Sequence, residues 1–326
     1  MLQNILLCLS GFGLLYYGAE WLVKGSSNLA KSLKITPIVI GLTVVAFGTS
    51  APELVVSLIS SIQNKSMLAV GNVVGSNICN LALVLGVSAL FYPISSKRTV
   101  VTRDMPIMLG ISLFLLFLSA NSIISRIEGA TLFLCIILYT VFNYRIALRE
   151  IVEGFNTTSV VFTSELKHLG DIASRPKQIS LILTGIVGVV LGAELVVGSA
   201  ENIMRFFGVS EKFIGLTIVA FGTSVPELAT SVVAAVRKEM DISLGNLVGS
   251  NVFNILSVLG LASLVRPITI VGGFFEGGLI IDYSVMIGIS LLTWVLMLKD
   301  NTIKRRDGAL LLGCYVGYLG YLIVKA

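Results

Sequence analysis

Residues 41–54 read GLTVVAFGTSAPEL, and residues 215–228 read GLTIVAFGTSVPEL, which is identical at 12 of 14 positions. Two further pairs of segments lie at the same offset of 174 residues: GNVVGSNICN (71–80) with GNLVGSNVFN (245–254), and GAE (18–20) with GAE (192–194). A constant offset over this length indicates that the chain consists of two related halves. In each half a glutamate, Glu53 or Glu227, follows a proline within an otherwise apolar stretch.

The composition is that of a membrane protein. Of the 326 residues, 55% are hydrophobic and only 13% are charged, and the mean hydropathy is +0.95. A soluble domain carries about 25% charged residues. Apolar runs of about 20 residues, enough to cross the core of a bilayer, recur along the chain. We therefore predict an all-α membrane protein with about ten transmembrane helices, at residues 3–30, 36–62, 67–92, 104–121, 127–144, 177–204, 212–236, 241–265, 279–298 and 308–325.

An odd number of spans in each half reverses the direction in which the second half enters the membrane. The sequence thus predicts two inverted five-helix repeats, residues 1–145 and 177–326, joined by a cytoplasmic linker at residues 146–176. Loops after odd-numbered spans carry 16 Lys and Arg residues and the opposite loops carry 6, so both termini are expected outside. Inverted-repeat transporters bind their substrate near the bilayer midplane, where the repeats meet.

The repeated segments concentrate oxygen atoms on one helix face. Ala46, Thr49, Ser50 and Glu53 follow one another at helical spacing. Pro52 has no N–H, so a main-chain carbonyl one turn earlier loses its partner and needs another donor, water or a cation. The second half repeats this pattern with Ala220, Thr223, Ser224, Pro226 and Glu227.

The third span of each half adds a serine and an asparagine four residues apart. These pairs are Ser76 with Asn80 and Ser250 with Asn254. The glycines of the same spans, at positions 71, 75, 245 and 249, form faces of small residues that permit close helix approach. We expect this packing to bring the serines and asparagines up to the helices that carry the glutamates.

Oxygen ligands of this kind suit hard cations such as calcium and sodium. Glu53 and Glu227 give the region a formal charge of −2, and the four repeated segments contain no Lys or Arg to balance it. The missing counter-charge is most simply a transported ion, although protonated glutamates in a helix interface are the alternative. His168, the single histidine, lies in the linker, and the four cysteines have no paired spacing. We therefore expect no zinc site, no histidine-based catalysis and no cofactor.

In these motifs the sequence resembles the cation/calcium antiporter superfamily, and most closely its sodium/calcium exchangers of prokaryotic type. Regions 41–86 and 215–260 look like the two alpha-repeat motifs of that family. The resemblance implies that Glu53 and Glu227 are ligands shared by calcium and sodium. It also implies further ligands, namely the main-chain oxygens of Thr49 and Thr223, the hydroxyls of Ser50, Ser224, Ser76 and Ser250, the carbonyls of Ala46 and Ala220, and Asn80 and Asn254 lining the central position.

By this resemblance the chain is a secondary active antiporter and not an enzyme. It is expected to exchange sodium for calcium by alternating access in a prokaryotic inner membrane, with an electrogenic stoichiometry of three sodium ions to one calcium ion. Asparagine at both central positions argues against potassium co-transport. The expected partners are the two ions and the lipid bilayer, with no nucleic acid, and a monomer is taken as the working state.

Three other functions fit parts of the pattern. A proton/calcium antiporter could use the same glutamates, although the hydroxyl-rich flanking positions favour sodium. A cation channel would surround one pore with several subunits, and an intramembrane hydrolase would need a base beside Ser50 or Ser224. Outside the motifs, Glu20 lies four residues before Lys24, which predicts an ion pair along one helix. Glu194 and Glu201 receive no role from the sequence.

Overall fold

The structure, a computed structural model, describes residues 1–157, 174–208, 220–274 and 279–325. The chain is almost entirely helical in these ranges. The helices are α1 Leu2–Leu33, α2 Pro37–Thr49, α3 Ala51–Ile62, α4 Ser66–Phe91, α5 Val100–Ser119, α6 Arg126–Thr157, α7 Arg175–Phe206, α8 Val225–Val236, α9 Met240–Val265, α10 Leu279–Asp300 and α11 Arg305–Lys325. A single helical turn, Ala220–Gly222, precedes α8.

The described ranges contain eight helices that are long and apolar enough to cross a membrane. The pair α2 and α3, bent by 47°, adds a ninth if it is counted as one span. Helix α8, by contrast, has 12 residues, and the start of the predicted seventh span, residues 212–219, lies outside the described part. Most of the predicted linker lies outside it as well, although α6 continues past residue 145 to Thr157. The prediction of a helical membrane protein is confirmed.

Within the described ranges, four strands of two residues each join the halves at the helix ends. Strand β1, Ile94–Ser95, pairs antiparallel with β4, Thr302–Ile303. Strand β2, Ile123–Ile124, pairs in the same way with β3, Ile268–Thr269. Each small sheet therefore takes one strand from the first half of the chain and one from the second.

Helices α4 and α9 form the centre of the molecule. In each of them 78% of the most apolar stretch is buried, compared with at most 39% in the other long helices. A Cβ atom at Gly249 would lie 2.7 Å from the carbonyl oxygen of Leu42, so α2 packs directly on the backbone of α9. The predicted close approach at positions 245 and 249 is confirmed. By the same offset, Gly71 and Gly75 would pack against residues 212–220, most of which lie outside the described part of the chain.

Helices α1 and α7 pack against each other through glycines. A Cβ at Gly18 would lie 2.6 Å from the Val189 nitrogen, and one at Gly185 would lie 2.5 Å from the Leu22 nitrogen. These two helices match the long first and sixth helices of the predicted fold. Their backbones touch, so they form one paired unit beside the central helices.

Loops that the charge count places on the same side of the membrane contact one another. Lys97 lies 3.2 Å from Asp241, and Lys238 stacks over the ring of Tyr92 at 5.9 Å. At the opposite end the Ile270 N–H donates to the Ser122 carbonyl oxygen over 2.9 Å. Contacts of this kind are expected if the loops alternate between two sides, and the ten-span topology stays a prediction.

The predicted ion pair between Glu20 and Lys24 is wrong. Glu20 pairs with Arg237, which lies in the loop between α8 and α9. The rule for residues four apart considers only one helix, whereas the packing of α1 against α8 brings a stronger partner to Glu20. Arginine can also bind a carboxylate with several N–H donors.

Candidate functional site

Each repeated segment breaks its helix at the same serine. Ser50 separates α2 from α3 with φ −83° and ψ 8°, and Ser224 precedes α8 with φ −90° and ψ 4°. A proline follows each break within the first turn of the next helix, where its missing N–H is tolerated. The two serines, which have nearly identical neighbours in sequence, therefore have nearly identical backbone angles.

The two breaks place Glu53 and Glu227 in the first turns of α3 and α8. Both residues are completely buried. The positive end of a helix dipole favours a carboxylate at this position, which offsets part of the cost of burial. Ser50 of the first half donates to Oε1 of Glu227 over 3.1 Å, so the two carboxylate helices meet at one site.

The site contains a concentration of buried oxygens without hydrogen-bond partners. Twelve buried side-chain nitrogen or oxygen atoms in the described part of the chain lack a partner, and six of them belong to predicted site residues. These six are both carboxylate oxygens of Glu53, Oε2 of Glu227, Oγ of Ser224, and Oδ1 of Asn80 and Asn254. Buried polar atoms are normally hydrogen-bonded, so such a group indicates a missing ligand. Five of the six are carboxylate or amide oxygens that can only accept, which is the character of a cation site.

A chain of hydroxyl contacts leads to Glu227. Ser250 Oγ lies 3.4 Å from Oε1 of Glu227, and Thr49 Oγ1 lies 3.4 Å from Ser250 Oγ. Thr49 also donates to Oδ1 of Asn246 over 2.9 Å. The predicted residues Thr49, Ser50 and Ser250 thus converge on the second glutamate.

In the other half the equivalent hydroxyls form no hydrogen bond to Glu53 within the described structure. Ser76 Oγ lies 3.4 Å from Thr223 Oγ1, which in turn lies 3.4 Å from Oδ1 of Asn72. Neither carboxylate oxygen of Glu53 has a hydrogen-bond partner in the described structure. The two repeats therefore supply the same side chains in two different arrangements.

Asn72 and Asn246 belong to this network, and the sequence analysis missed them. The Asn72 amide donates to the main-chain oxygen of Glu53 over 3.2 Å and to Ser57 Oγ over 3.0 Å. The Asn246 amide donates to Ser231 Oγ over 3.1 Å. Their spacing could have identified them as site residues, because each lies four residues before a predicted site serine on the same helix face.

Two further asparagines orient the central pair. Asn80 donates to Oδ1 of Asn251 over 3.1 Å, and Asn254 donates to Oδ1 of Asn77 over 3.1 Å. Because the amide nitrogens are used in this way, the oxygens of Asn80 and Asn254 stay available. Both residues lie in π-helical turns, Cys79–Val84 and Asn254–Leu259, a distortion that is frequent at functional sites.

The two predicted alanine carbonyls are placed at the helix breaks. The Ala46 carbonyl accepts the Ser50 N–H over 3.0 Å and a weak contact from Thr49 Oγ1 at 3.4 Å. Ala220 begins the helical turn before Ser224, and its side chain is outside the described part. The structure therefore brings together oxygens from both halves, while the ligand roles of Ala46 and Ala220 stay predictions.

No described basic residue balances the charge of the site. Within the described residues neither Glu53 nor Glu227 forms an ion pair with Lys or Arg, and no three His, Cys, Asp or Glu side chains form a metal-binding group. A transition-metal centre would use imidazole or thiolate ligands. Two carboxylates with hydroxyl and amide oxygens are instead suited to hard cations that cross the membrane.

Several known proteins are similar to this chain in sequence and fold. Residues 3–145 and 177–324 match the family described as "Sodium/calcium exchanger protein". The inner membrane protein YrbG of Escherichia coli is 34% identical over 325 residues, covering 99% of this chain and 97% of its own. The sodium/calcium exchanger MaX1 of Methanosarcina acetivorans is 33% identical over 345 residues, covering 97% of each chain.

A solved structure of the sodium-calcium exchanger NCX_Mj superposes with a TM-score of 0.82. It is 32% identical in sequence, and the match covers 98% of both chains. The family match and the relatives extend over nearly the whole sequence. The chain therefore belongs to the sodium/calcium exchanger family.

Proposed function

We propose that the protein exchanges sodium for calcium across a membrane by alternating access. The observation that carries this proposal is a group of fully buried oxygens around two carboxylates, where among the described residues these oxygens have no hydrogen-bond partner and the carboxylates have no counter-charge. Family membership and the likeness to NCX_Mj support the identity of the two ions. The transported ions are substrates, and the proposal includes no cofactor and no enzymatic reaction.

In this proposal Glu53 and Glu227 bind calcium and also bind sodium. The main-chain oxygens of Thr49 and Thr223 join the calcium site, and Asn80 and Asn254 line its central position. The flanking sodium sites use the hydroxyls and carbonyls of Ser50, Ser76, Ser224, Ser250, Ala46 and Ala220. Support comes from the positions of Ser50 and the two glutamates at the helix breaks, and from the contact of Ser250 with Glu227.

We further propose ten transmembrane helices in two inverted repeats, residues 1–145 and 177–326, with a cytoplasmic linker at 146–176. Reciprocal contacts between equivalent residues support this arrangement. Asn77 Nδ2 donates to the Asn251 carbonyl over 3.2 Å, and Asn251 Nδ2 lies 3.4 Å from the Asn77 carbonyl. A twofold axis through the site predicts such an exchange. The proposed setting is a prokaryotic inner membrane with both termini outside and a monomer as the working unit.

We derive the proposed ratio of sodium to calcium ions from the formal charge of the two glutamates. One calcium ion on two carboxylates gives a neutral loaded site, whereas three sodium ions give a charge of +1. Exchange of three sodium ions for one calcium ion would therefore move charge and respond to the membrane potential. An empty site would carry two buried, uncompensated carboxylates through the membrane, which is costly. This cost would prevent movement without cargo and so enforce exchange.

The test is radioactive calcium uptake into proteoliposomes under a sodium gradient and, separately, under a proton gradient. The proposal predicts uptake driven by sodium and no uptake driven by protons alone. Proton-driven uptake without sodium would identify the alternative proton/calcium antiporter. Imposing a potential with potassium and valinomycin tests the stoichiometry. Sodium-driven uptake whose rate did not depend on this potential would contradict the three-to-one exchange.

A further inference from the structure

Three polar contacts attach α1 to the loop between α8 and α9. Glu239 accepts a hydrogen bond from Ser27 Oγ over 2.6 Å and lies 3.8 Å from Lys31 Nζ. Arg237 of the same loop pairs with Glu20. These contacts fix α1 to the loop at one end of the molecule.

The loop between α3 and α4 is equivalent to this loop in the other half. Asn64 and Lys238 both have positive φ, 62° and 61°. The next residues match as well, since Lys65 has φ −99° and ψ 59° and Glu239 has φ −91° and ψ 60°. The offset of 174 residues therefore holds for backbone geometry as well as for sequence.

The loop position is reversed in charge, since Lys65 stands where the other half has Glu239. On the helices, Glu201 of α7 stands where α1 has the neutral Ser27, and Arg205 stands where α1 has Lys31. By the equivalence of the two halves, this loop carries a base and the helix beside it an acid, a combination that can form an ion pair. In this structure neither side chain forms a hydrogen bond or an ion pair with a described residue. At one end of the molecule, polar contacts join α1 to the loop between α8 and α9. At the other end, the equivalent pair Lys65 and Glu201 is not in contact.

The glycine contacts make α1 and α7 a single unit. Because a Cβ at Gly18 or Gly185 would lie within 2.6 Å of the partner backbone, neither helix has room to shift independently toward the other. If α7 moved so that Glu201 approached Lys65, α1 would move with it because the two backbones are in contact. Such a movement would draw Ser27 and Lys31 away from Glu239.

We propose that Lys65 and Glu201 are positioning residues that pair in the opposite state of the transport cycle. The contacts of Glu239 with α1 hold the state seen here, and the Lys65–Glu201 pair holds the other state. The two sets of contacts exclude each other because α1 and α7 move as one unit. This inference rests on the alternating access in the proposed function, and it assigns Glu201, which the sequence left without a role.

Disulfide crosslinking tests this exclusion directly in the full chain. The four native cysteines, Cys8, Cys79, Cys135 and Cys314, are first replaced by alanine or serine. One variant then carries Lys65→Cys with Glu201→Cys, and a second carries Ser27→Cys with Glu239→Cys. As a matched control, Lys65→Cys is combined with Asn202→Cys, whose position on α7 is adjacent but exposed.

Both test pairs are expected to crosslink when present alone in membranes, and the control pair is not. In a chain that carries both test pairs, each molecule should form one disulfide or the other. Failure of the Lys65→Cys and Glu201→Cys pair to crosslink, while the other pair does, would overturn the inference, as would two disulfides in one molecule. Crosslinking is measured on the protein itself, so the result stands even if sodium fails to drive calcium uptake.

Charge reversal supplies a second measurement with the native cysteines present. Lys65→Glu and Glu201→Lys are each expected to slow exchange about threefold, the effect of losing one exposed ion pair. The double variant, with the charges exchanged, should recover the wild-type rate. A double variant as slow as the sum of the two single defects would contradict a direct pair.

Discussion

Ser50 Oγ donates to Glu227 Oε1 over 3.1 Å, whereas the equivalent Ser224 Oγ is buried without any hydrogen-bond partner in the described structure. The two serines have nearly identical backbone angles and nearly identical neighbours in sequence. The difference therefore comes from the relative placement of the two halves. A site built from two equal repeats is asymmetric in this state.

This asymmetry predicts different effects of two equivalent substitutions. Ser50→Ala removes a hydrogen bond to a carboxylate and should destabilise the cation-free protein by about 1–2 kcal/mol. Ser224→Ala removes a hydroxyl with no hydrogen-bond partner among the described residues and should cost much less in the same conditions. The measurement is the unfolding temperature in detergent without sodium or calcium. Equal losses for the two variants would contradict the arrangement seen here.

Asn246→Ala tests the side chains that position the site residues through hydrogen bonds. The substitution removes the acceptor of the Thr49 hydroxyl and the donor to Ser231. We expect the calcium concentration for half-maximal uptake to rise about tenfold, the effect of about 1.4 kcal/mol from lost positioning. Asn202→Ala, on an exposed face of α7, is the matched control and should leave uptake unchanged. An unchanged calcium dependence in Asn246→Ala would remove this residue from the network.

Gly185→Ala tests the packing of α1 against α7. The added methyl group would lie 2.5 Å from the Leu22 nitrogen, so the helices must separate. We expect a loss of about 1–3 kcal/mol in stability, the usual range for overpacking. Gly198→Ala on the same helix meets no atom of the described residues within 4 Å and should be neutral or stabilising, since alanine favours helix. Equal unfolding temperatures for the two variants would contradict the close contact.

Cation binding should stabilise the purified protein. Calcium at about 100 times its dissociation constant is expected to add about 2.7 kcal/mol to the free energy of unfolding. Sodium should also stabilise, and it should add little once calcium is saturating, because the two ions share the same oxygens. Choline chloride at equal ionic strength controls for screening. Calcium and sodium effects that simply added together would indicate separate sites.

Much of this site could be predicted from the sequence because it lies in the repeated motifs. The helix breaks follow from Pro52 and Pro226, since proline is accepted only at the start of a helix. The oxygen-bearing residues around the breaks were identifiable because Thr, Ser and Glu recur there at helical spacing. The breaks are confirmed, and the roles of individual ligands stay predictions.

Other features depend on packing between distant segments. Asn77 and Asn251 look like ordinary polar residues of a helix, and only the contact of α4 with α9 reveals their reciprocal hydrogen bonds. The partner of Glu20 is 217 residues away, which no local rule could find. The asymmetry between Ser50 and Ser224 was also inaccessible, because two equal motifs predict equal environments.

The most direct measurement is sodium-driven radioactive calcium uptake by Glu53→Gln and Glu227→Gln in proteoliposomes. Glutamine keeps the size of the side chain and removes the charge that balances the cation. Glu194→Gln makes the same change at an exposed position of α7 and serves as the control. We predict that both site variants lose uptake while the control retains it. Substantial uptake by either Glu53→Gln or Glu227→Gln would contradict the shared two-carboxylate site.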